Sequence, residues 1–167
     1  NVNNSLTFST GTQKHQTYFS AATTNARNIL PNSGYNRYNF TFRDVTKFLK
    51  DKLTVDLSAS YILQDNKNMI AAGKYFNPLP ALYLFPRGDD FDNVRLYQRW
   101  DESRNLYTQA WDYGSGDMSF QNPYWIMNKM INQTKKRRYM LSANLKYDVT
   151  DWLDVTGRVK VDNADMD

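Results

Sequence analysis

Three segments of the chain alternate between apolar and polar residues, and this pattern restricts the fold more than any other feature. In Leu53–Gln64 and Arg138–Tyr147 the odd-numbered positions are apolar or aromatic and the even-numbered ones are mostly polar. Leu153–Asp162 repeats the pattern. Because successive side chains of a β-strand point to opposite faces of a sheet, each segment predicts a strand with one apolar and one polar face.

Weaker alternation predicts three more strands, around residues 2–8, 15–23 and 38–42. The predicted fold class is therefore all-β, with six antiparallel strands. The connections alternate between short and long, so that all the short turns lie at one edge of the sheet. Outer-membrane barrels separate short periplasmic turns from long outer loops in this way, which favours a partial outer-membrane β-barrel with one long extracellular loop. The short connections are 11–14, 45–51 and 149–152, and the long ones are 25–36 and 66–135.

Several classes of function are disfavoured by composition. The chain has no cysteine, which excludes disulfides, thiolate zinc sites and cysteine nucleophiles. Its one histidine, His15, has no partner at metal-ligand spacing, so we expect no catalytic residue, no metal site and no cofactor. The acidic run Asp89–Asp92 lacks calcium-loop spacing and reads as a solvated loop. The acidic residues 162–167 are expected to fray.

The net charge of +4 raises the question of nucleic-acid binding. The basic residues are scattered except for Lys135-Lys136-Arg137-Arg138, and no nucleic-acid-binding pattern is present, so we expect no such partner. That basic cluster could pair with lipopolysaccharide phosphates or be a solvated rim. No segment approaches the roughly 18 apolar residues of a membrane helix. The longest apolar stretch, Leu79–Phe85, contains Pro80 and predicts a loop or short strand.

Aromatic residues recur near the ends of the predicted strands. Residues 43–50 resemble residues 147–154, and each copy reads as a strand end, a polar turn and an aromatic-Leu pair that opens the next strand. Trp and Tyr favour membrane interfaces, so these rings would form two interfacial girdles. Eight residues of strand, as from Tyr139 to Tyr147, span near 20 Å vertically at a tilt of about 40°. Ordinary packing in a soluble sandwich explains the same rings equally well. The girdle candidates are Phe48, Tyr147 and Trp152 on the periplasmic side and Tyr61 and Tyr139 on the outer side.

One stretch of the chain carries a family resemblance. The run Gln121–Asn128, followed by Arg138-Tyr139, Leu145–Leu153 and Gly157-Arg158, resembles the barrel of SusC/RagA-type TonB-dependent outer-membrane transporters of the Bacteroidetes. Looser similarity is seen in residues 18–20, 36–40 and 77–80. Lys135-Lys136-Arg137 depart from the family pattern.

The resemblance implies a plugged barrel of about 22 strands in the cell outer membrane, of which six strands are roughly a quarter. The chain would then be a barrel segment without the plug, the TonB box or the closing strands. Residues 1–64 would supply strands 1–4, residues 65–135 one long extracellular loop, and residues 136–167 strands 5–6. The implied function is energised uptake of a glycan or peptide, and the implied partners are a SusD-like surface lipoprotein, the TonB complex and outer-membrane lipid.

The long loop is rich in aromatic residues, whose faces stack on sugars and on peptide side chains. The same rings could instead form the loop's own core. Residues 123–130 predict a short helix with Asn122 as N-cap and Pro123 at the first position. A soluble sugar-binding β-domain and a purely structural surface module remain alternatives. The candidates for ligand or partner contact are Tyr83, Trp100, Trp111, Tyr113, Tyr124 and Trp125.

Two further expectations follow from the predicted wall. Its two outer strands have unpaired backbone groups, so the isolated chain is expected to self-associate. Residues Gly114-Ser115-Gly116 should be reachable from outside the cell, whereas Thr150-Asp151 should not.

Overall fold

A computed structural model describes residues 1–113 and 120–167. Gly114-Ser115-Gly116, for which the sequence predicts surface access, lie outside the described residues. All six strands expected from the alternation are present, and each extends beyond the segment that predicted it. The elements are β1 (Val2–Gly11), β2 (His15–Arg27), β3 (Gly34–Phe48), β4 (Leu53–Lys67), α1 (Pro78–Tyr83), α2 (Asp92–Arg95), β5 (Gln98–Asp101), β6 (Leu106–Gln109), α3 (Pro123–Lys129), β7 (Gln133–Thr150) and β8 (Leu153–Met166).

The chain divides into two compact units. The sheet unit comprises Asn1–Arg27, Tyr35–Asn66 and Thr134–Asp167. The insertion unit comprises Asn28–Gly34 and Lys67–Gln133. The insertion unit therefore combines most of the long connection after β4 with the connection between β2 and β3.

The sheet unit is one six-stranded sheet in the order β1-β2-β3-β4-β7-β8. Strands β1 and β2 pair antiparallel, with Phe8 opposite Phe19, and β7 and β8 pair antiparallel, with Leu141 opposite Val161. The all-β prediction is thus confirmed. The sheet is open, and β1 and β8 form its two edges.

The three short turns lie at the same end of the strands. We call this end of the sheet the short-turn edge, as distinct from the edge strands β1 and β8. They connect β1 to β2, β3 to β4 and β7 to β8. Backbone hydrogen bonds join neighbouring hairpins there: the Lys47 amide donates to the Lys14 carbonyl at 2.7 Å, and the Asp148 amide donates to the Lys52 carbonyl at 2.8 Å. The short turns of adjacent hairpins are therefore held side by side.

The expected similarity of two of these turns is wrong in one respect. Phe48 ends β3 instead of opening β4, and Leu49 lies in the turn with a positive φ of 53°. The next two turn residues, Lys50 and Asp51, also have positive φ. In the other copy the strand runs to Thr150, Trp152 lies in the turn, and only Leu153 of the aromatic-Leu pair opens β8. The turn after β3 is thus longer than its counterpart and uses a left-handed backbone.

Two other local predictions are wrong. The acidic C-terminal residues do not fray, because β8 continues to Met166 and the Asp167 and Lys135 backbones exchange two hydrogen bonds at 2.9 Å. The basic residues at the start of β7 therefore lie in regular strand pairing. The apolar stretch after residue 78 forms helix α1, because the Asn77 side chain accepts a hydrogen bond from the Leu79 amide at 3.0 Å and Pro78 occupies the first helical turn.

The buried hydrophobic residues of the described chain all lie in the insertion unit, where Ala81, Val94, Ile126 and Met127 pack as a small core. In the sheet unit, every residue of which is described, no side chain is fully buried. Among the described residues, no helix has the length and hydrophobicity needed to cross a bilayer.

Candidate functional site

One face of the six-stranded sheet is apolar, and its side chains remain open to solvent. Leu57 is 45% exposed, Leu141 is 49% exposed and Val159 is 67% exposed. This apolar face extends over all six strands, because the alternating positions of paired strands share a side. Its members include Leu6, Phe8, Phe19, Phe40, Phe42, Leu53, Val55, Leu57, Leu141, Leu145, Val155, Val159 and Val161.

The opposite face is polar and its side chains bond across the strands. The Ser58 and Ser142 hydroxyls lie 2.7 Å apart, which joins β4 to β7. Arg43 donates to both carboxylate oxygens of Asp56, at 2.9 and 2.7 Å. The guanidinium of Arg138 likewise donates to both oxygens of Asp162, which joins β7 to β8. These polar side chains therefore pair with one another across neighbouring strands.

The polar face surrounds a groove of about 1260 Å³. Residues from all six strands contribute to its wall, including strands at opposite edges of the sheet. A groove whose wall includes both edge strands indicates a sheet that curves around its polar side. Representative lining residues are Ser9, Tyr18, Arg43, Asp56, Ser142 and Arg158.

The five girdle candidates lie on the sheet unit. Tyr61, Tyr139 and Tyr147 fall on the apolar face, because each alternates with apolar neighbours of its own strand. Phe48 ends β3 at the short-turn edge. Trp152 is 84% exposed in the turn between β7 and β8. Phe48, Tyr147 and Trp152 are thus near the short-turn edge and Tyr61 and Tyr139 are farther from it, while their interfacial role stays a prediction.

A polar cluster interrupts the apolar face beside the short-turn edge. The His15 Nε2 atom lies 2.8 Å from an Asp44 carboxylate oxygen, to which Thr17 also donates at 2.7 Å. Thr46 donates to the other oxygen at 2.8 Å. The sequence predicts a surface histidine in the first hairpin. It does not predict the cluster, because no local signal links residues that lie 29 positions apart.

Two of the candidate loop aromatics, Trp111 and Tyr113, belong to a group of packed rings. Trp111 contacts Tyr113, with ring centroids 5.1 Å apart, and Tyr113 contacts Phe85 at 4.8 Å. Phe85 in turn contacts Phe91. These rings pack against one another, so this group fits the alternative in which loop aromatics make the loop's own core.

The other four candidates lie elsewhere in the insertion unit. Trp100 pairs across the β5–β6 hairpin with Tyr107, at 5.1 Å between centroids, and both rings are about half exposed. Tyr83 is 84% exposed at the end of α1, whereas Tyr124 and Trp125 are partly buried on α3. Ligand or partner contact by any of them stays a prediction.

Asn122 organises the part of the insertion unit that contains the Asn-Pro-Tyr-Trp sequence. Its side chain is fully buried, and its amide nitrogen donates to the Val94 and Ala110 carbonyls, both at 2.9 Å. Its oxygen accepts from the backbone amides of Tyr124 and Trp125, which confirms the predicted helix cap. The sequence predicted the cap, but only the fold brings the two distant carbonyls to the same side chain.

Two ionisable groups of the insertion unit, Asp101 and Tyr113, have pKa values that neighbouring residues shift. Hydrogen bonds from the Ser103 hydroxyl and from the backbone amides of Ser103 and Arg104 lower the pKa of Asp101. Burial, reinforced by the nearby Asp89 carboxylate, raises the pKa of Tyr113. Within the described ranges, no group of three metal-ligating side chains is positioned to hold an ion.

The sequence matches no protein-family model and has no significant match among curated proteins.

Proposed function

We propose that the sheet unit is one arc of the wall of an outer-membrane barrel, in a TonB-dependent nutrient importer of the SusC/RagA type. The apolar face would contact lipid, and the polar face would line the lumen. The insertion unit would be the long extracellular segment. The observation that carries the proposal is an apolar face spread over six strands in a unit without a buried core.

Curvature and polarity support the same orientation. A barrel wall curves around its lumen, and the strands of outer-membrane barrels alternate between lipid-facing apolar and lumen-facing polar residues. Here the groove lies on the polar side and includes the Arg43–Asp56 pair. The apolar side is the side that a bilayer would cover. Extended apolar surfaces of this kind on soluble proteins usually mark a partner or a membrane.

The separation of short and long connections supports one orientation of the proposed wall in the membrane. Outer-membrane barrels have short periplasmic turns and longer outer loops. The short-turn edge would therefore face the periplasm, and the connections between β2 and β3 and between β4 and β7 would face outward. In this orientation the insertion unit would meet the SusD-like lipoprotein and the glycan or peptide substrate, while energy would come from the TonB complex.

A soluble sugar-binding β-domain is the second candidate, and one observation favours it. The Trp100–Tyr107 pair presents two half-exposed rings on a short hairpin, a surface on which a sugar could stack. A β-sandwich, however, covers the inner face of each sheet with another sheet about 10 Å away. Titration of tryptophan emission with oligosaccharides, compared between the native chain and Trp100→Ala, tests this alternative.

The absence of cysteine allows a direct test of the lipid-facing assignment. Single Leu141→Cys and Ser142→Cys variants would be labelled with bimane and reconstituted into vesicles that contain brominated phosphatidylcholine. Neighbouring residues of one strand lie at the same depth but on opposite faces. We expect strong quenching at position 141 and little at position 142, and the Leu57→Cys and Ser58→Cys pair should behave alike.

Two results would contradict the proposal. Equal quenching at both members of each pair would mean that the apolar face does not contact lipid more than the polar face does. A chain that stays in solution without vesicles as a compact monomer would instead favour the soluble β-domain. Sedimentation velocity at several concentrations tests this, since open edges at β1 and β8 and the exposed apolar face predict self-association.

A further inference from the structure

The short-turn edge carries a group of lysines that we call the lysine cluster, comprising Lys14, Lys47, Lys50 and Lys52. All four side chains are exposed. The hydrogen bond between the Lys47 amide and the Lys14 carbonyl holds the first two turns together. In the described part of the chain these lysines form no ion pair. Asp51 is the one carboxylate within the second turn, so this part of the edge has an excess of positive charge.

The third hairpin differs in charge. Its turn region contains Asp148, Asp151 and Asp154, and its lysine, Lys146, lies 3.0 Å from an Asp148 oxygen. The short-turn edge is therefore basic along the first two hairpins and acidic along the third. Anion binding would be restricted to the first two hairpins.

Apolar side chains accompany the lysine cluster. Phe48 is about half exposed at the end of β3, and Leu49 is 63% exposed in the turn that follows. Leu49, Lys50 and Asp51 all have positive φ, a conformation that L-residues avoid. In this turn the apolar side chain of Leu49 and the ammonium group of Lys50 are both exposed to solvent.

We infer that the lysine cluster is a docking surface for the anionic headgroups of a phospholipid leaflet. The ammonium groups would pair with headgroup phosphates, while Phe48 and Leu49 would enter the boundary of the acyl chains. This inference rests on the proposed function, because it requires the apolar face to lie in a bilayer. Basic residues that border a membrane-embedded surface bind anionic lipid in this manner.

The basic residues at the opposite edge are less suited to this role. Arg137 donates to Asp167 at 2.7 Å, and Arg138 is held by both oxygens of Asp162. Two of the four charges in that group are therefore already paired within the sheet. The short-turn edge has the greater number of unpaired cations beside exposed apolar residues.

Vesicle flotation of the full 167-residue chain tests the inference. Vesicles of phosphatidylcholine alone would be compared with vesicles that also contain phosphatidylglycerol. The test variant is Lys50→Gln/Lys52→Gln, and the control is Lys135→Gln/Lys136→Gln, which removes the same charge at the opposite edge. A lysine at an anionic surface contributes about fivefold in partitioning, so we expect a loss of roughly 25-fold for the test variant on phosphatidylglycerol vesicles. The control should lose much less, and added salt should reduce the difference.

Each other outcome has a defined meaning. If the native chain binds both vesicle types equally, or if the control loses as much affinity as the test variant, the lysine cluster is not the docking surface, although the proposed barrel wall stands. If the native chain binds neither vesicle type, the proposed function fails with it. Circular dichroism of each variant verifies that its strand content is unchanged.

Discussion

Replacing Asn122 by alanine should destabilise the insertion unit more than the same truncation of Asn77. The side chain is fully buried and takes part in four hydrogen bonds. Removal leaves the Val94 and Ala110 carbonyls without this donor and the first turn of α3 without its cap. The effect therefore combines two different losses.

The magnitude follows from those bonds. A buried polar group left without a partner costs about 1 to 3 kcal/mol, and loss of a helix cap costs about 1 kcal/mol. Two carbonyls and one cap give a decrease of roughly 3 to 7 kcal/mol in the free energy of unfolding. The matched control is Asn77→Ala, because Asn77 caps α1 with one hydrogen bond, to the Leu79 amide. Its expected effect is about 1 kcal/mol.

The assay is urea unfolding followed by tryptophan emission. Trp100, Trp111 and Trp125 lie in the insertion unit, whereas Trp152 lies in the sheet unit. A Trp152→Phe background therefore restricts the signal to the insertion unit. Asn122→Asp provides a further comparison, since it retains the capping oxygen but loses both amide donors. If Asn122→Ala and Asn77→Ala shift the unfolding free energy equally, the two carbonyl bonds do not hold this unit together and the reasoning is refuted.

Three further predictions concern the strands and turns. In the full-length barrel, Leu141→Lys should impair membrane assembly in a heat-modifiability gel more than Ser142→Lys, because only the former places a charge in lipid, at a cost of about 2 to 4 kcal/mol. Equal effects would contradict the assigned faces. Lys50→Gly should raise the free energy of unfolding, measured by urea titration, by about 0.5 to 1 kcal/mol, since glycine accepts the left-handed backbone. An unchanged free energy of unfolding would contradict that backbone. The pKa of Asp101 is lowered in the folded chain, so its ionised carboxylate stabilises the β5–β6 hairpin fully above the pKa of the unfolded chain. This stabilisation is lost as the pH falls through the pKa of the folded chain. The hairpin should therefore loosen below about pH 4. An Asp101→Asn variant should lack this acid transition in tryptophan emission.

Local features of the fold were predictable because their causes lie within a few residues of sequence. Period-two alternation located all six strands of the sheet and sorted their side chains into two faces. The Asn122-Pro123 pair located the start of α3. The same reasoning failed for α1, where the Asn77 cap and Pro78 outweighed the strand-like apolar run.

Tertiary structure decided the features that depend on register between distant segments. The Ser58–Ser142 contact joins residues 84 positions apart, and the His15–Asp44 contact joins residues 29 positions apart. The C-terminal residues are ordered because β8 pairs with β7 along its whole length.

For the candidate site, the sequence by itself determined that one face of the sheet is apolar, because alternation is a local property of each strand. Whether that face is covered depends on everything else that packs nearby, and only the tertiary structure showed that the sheet unit has no core of its own. The lysine cluster has the same origin: its residues belong to separate turns, and the pairing of neighbouring hairpins brings those turns to one edge. The sequence of a strand thus determines which of its side chains share a face, whereas the pairing of the strands determines the surfaces that they form together.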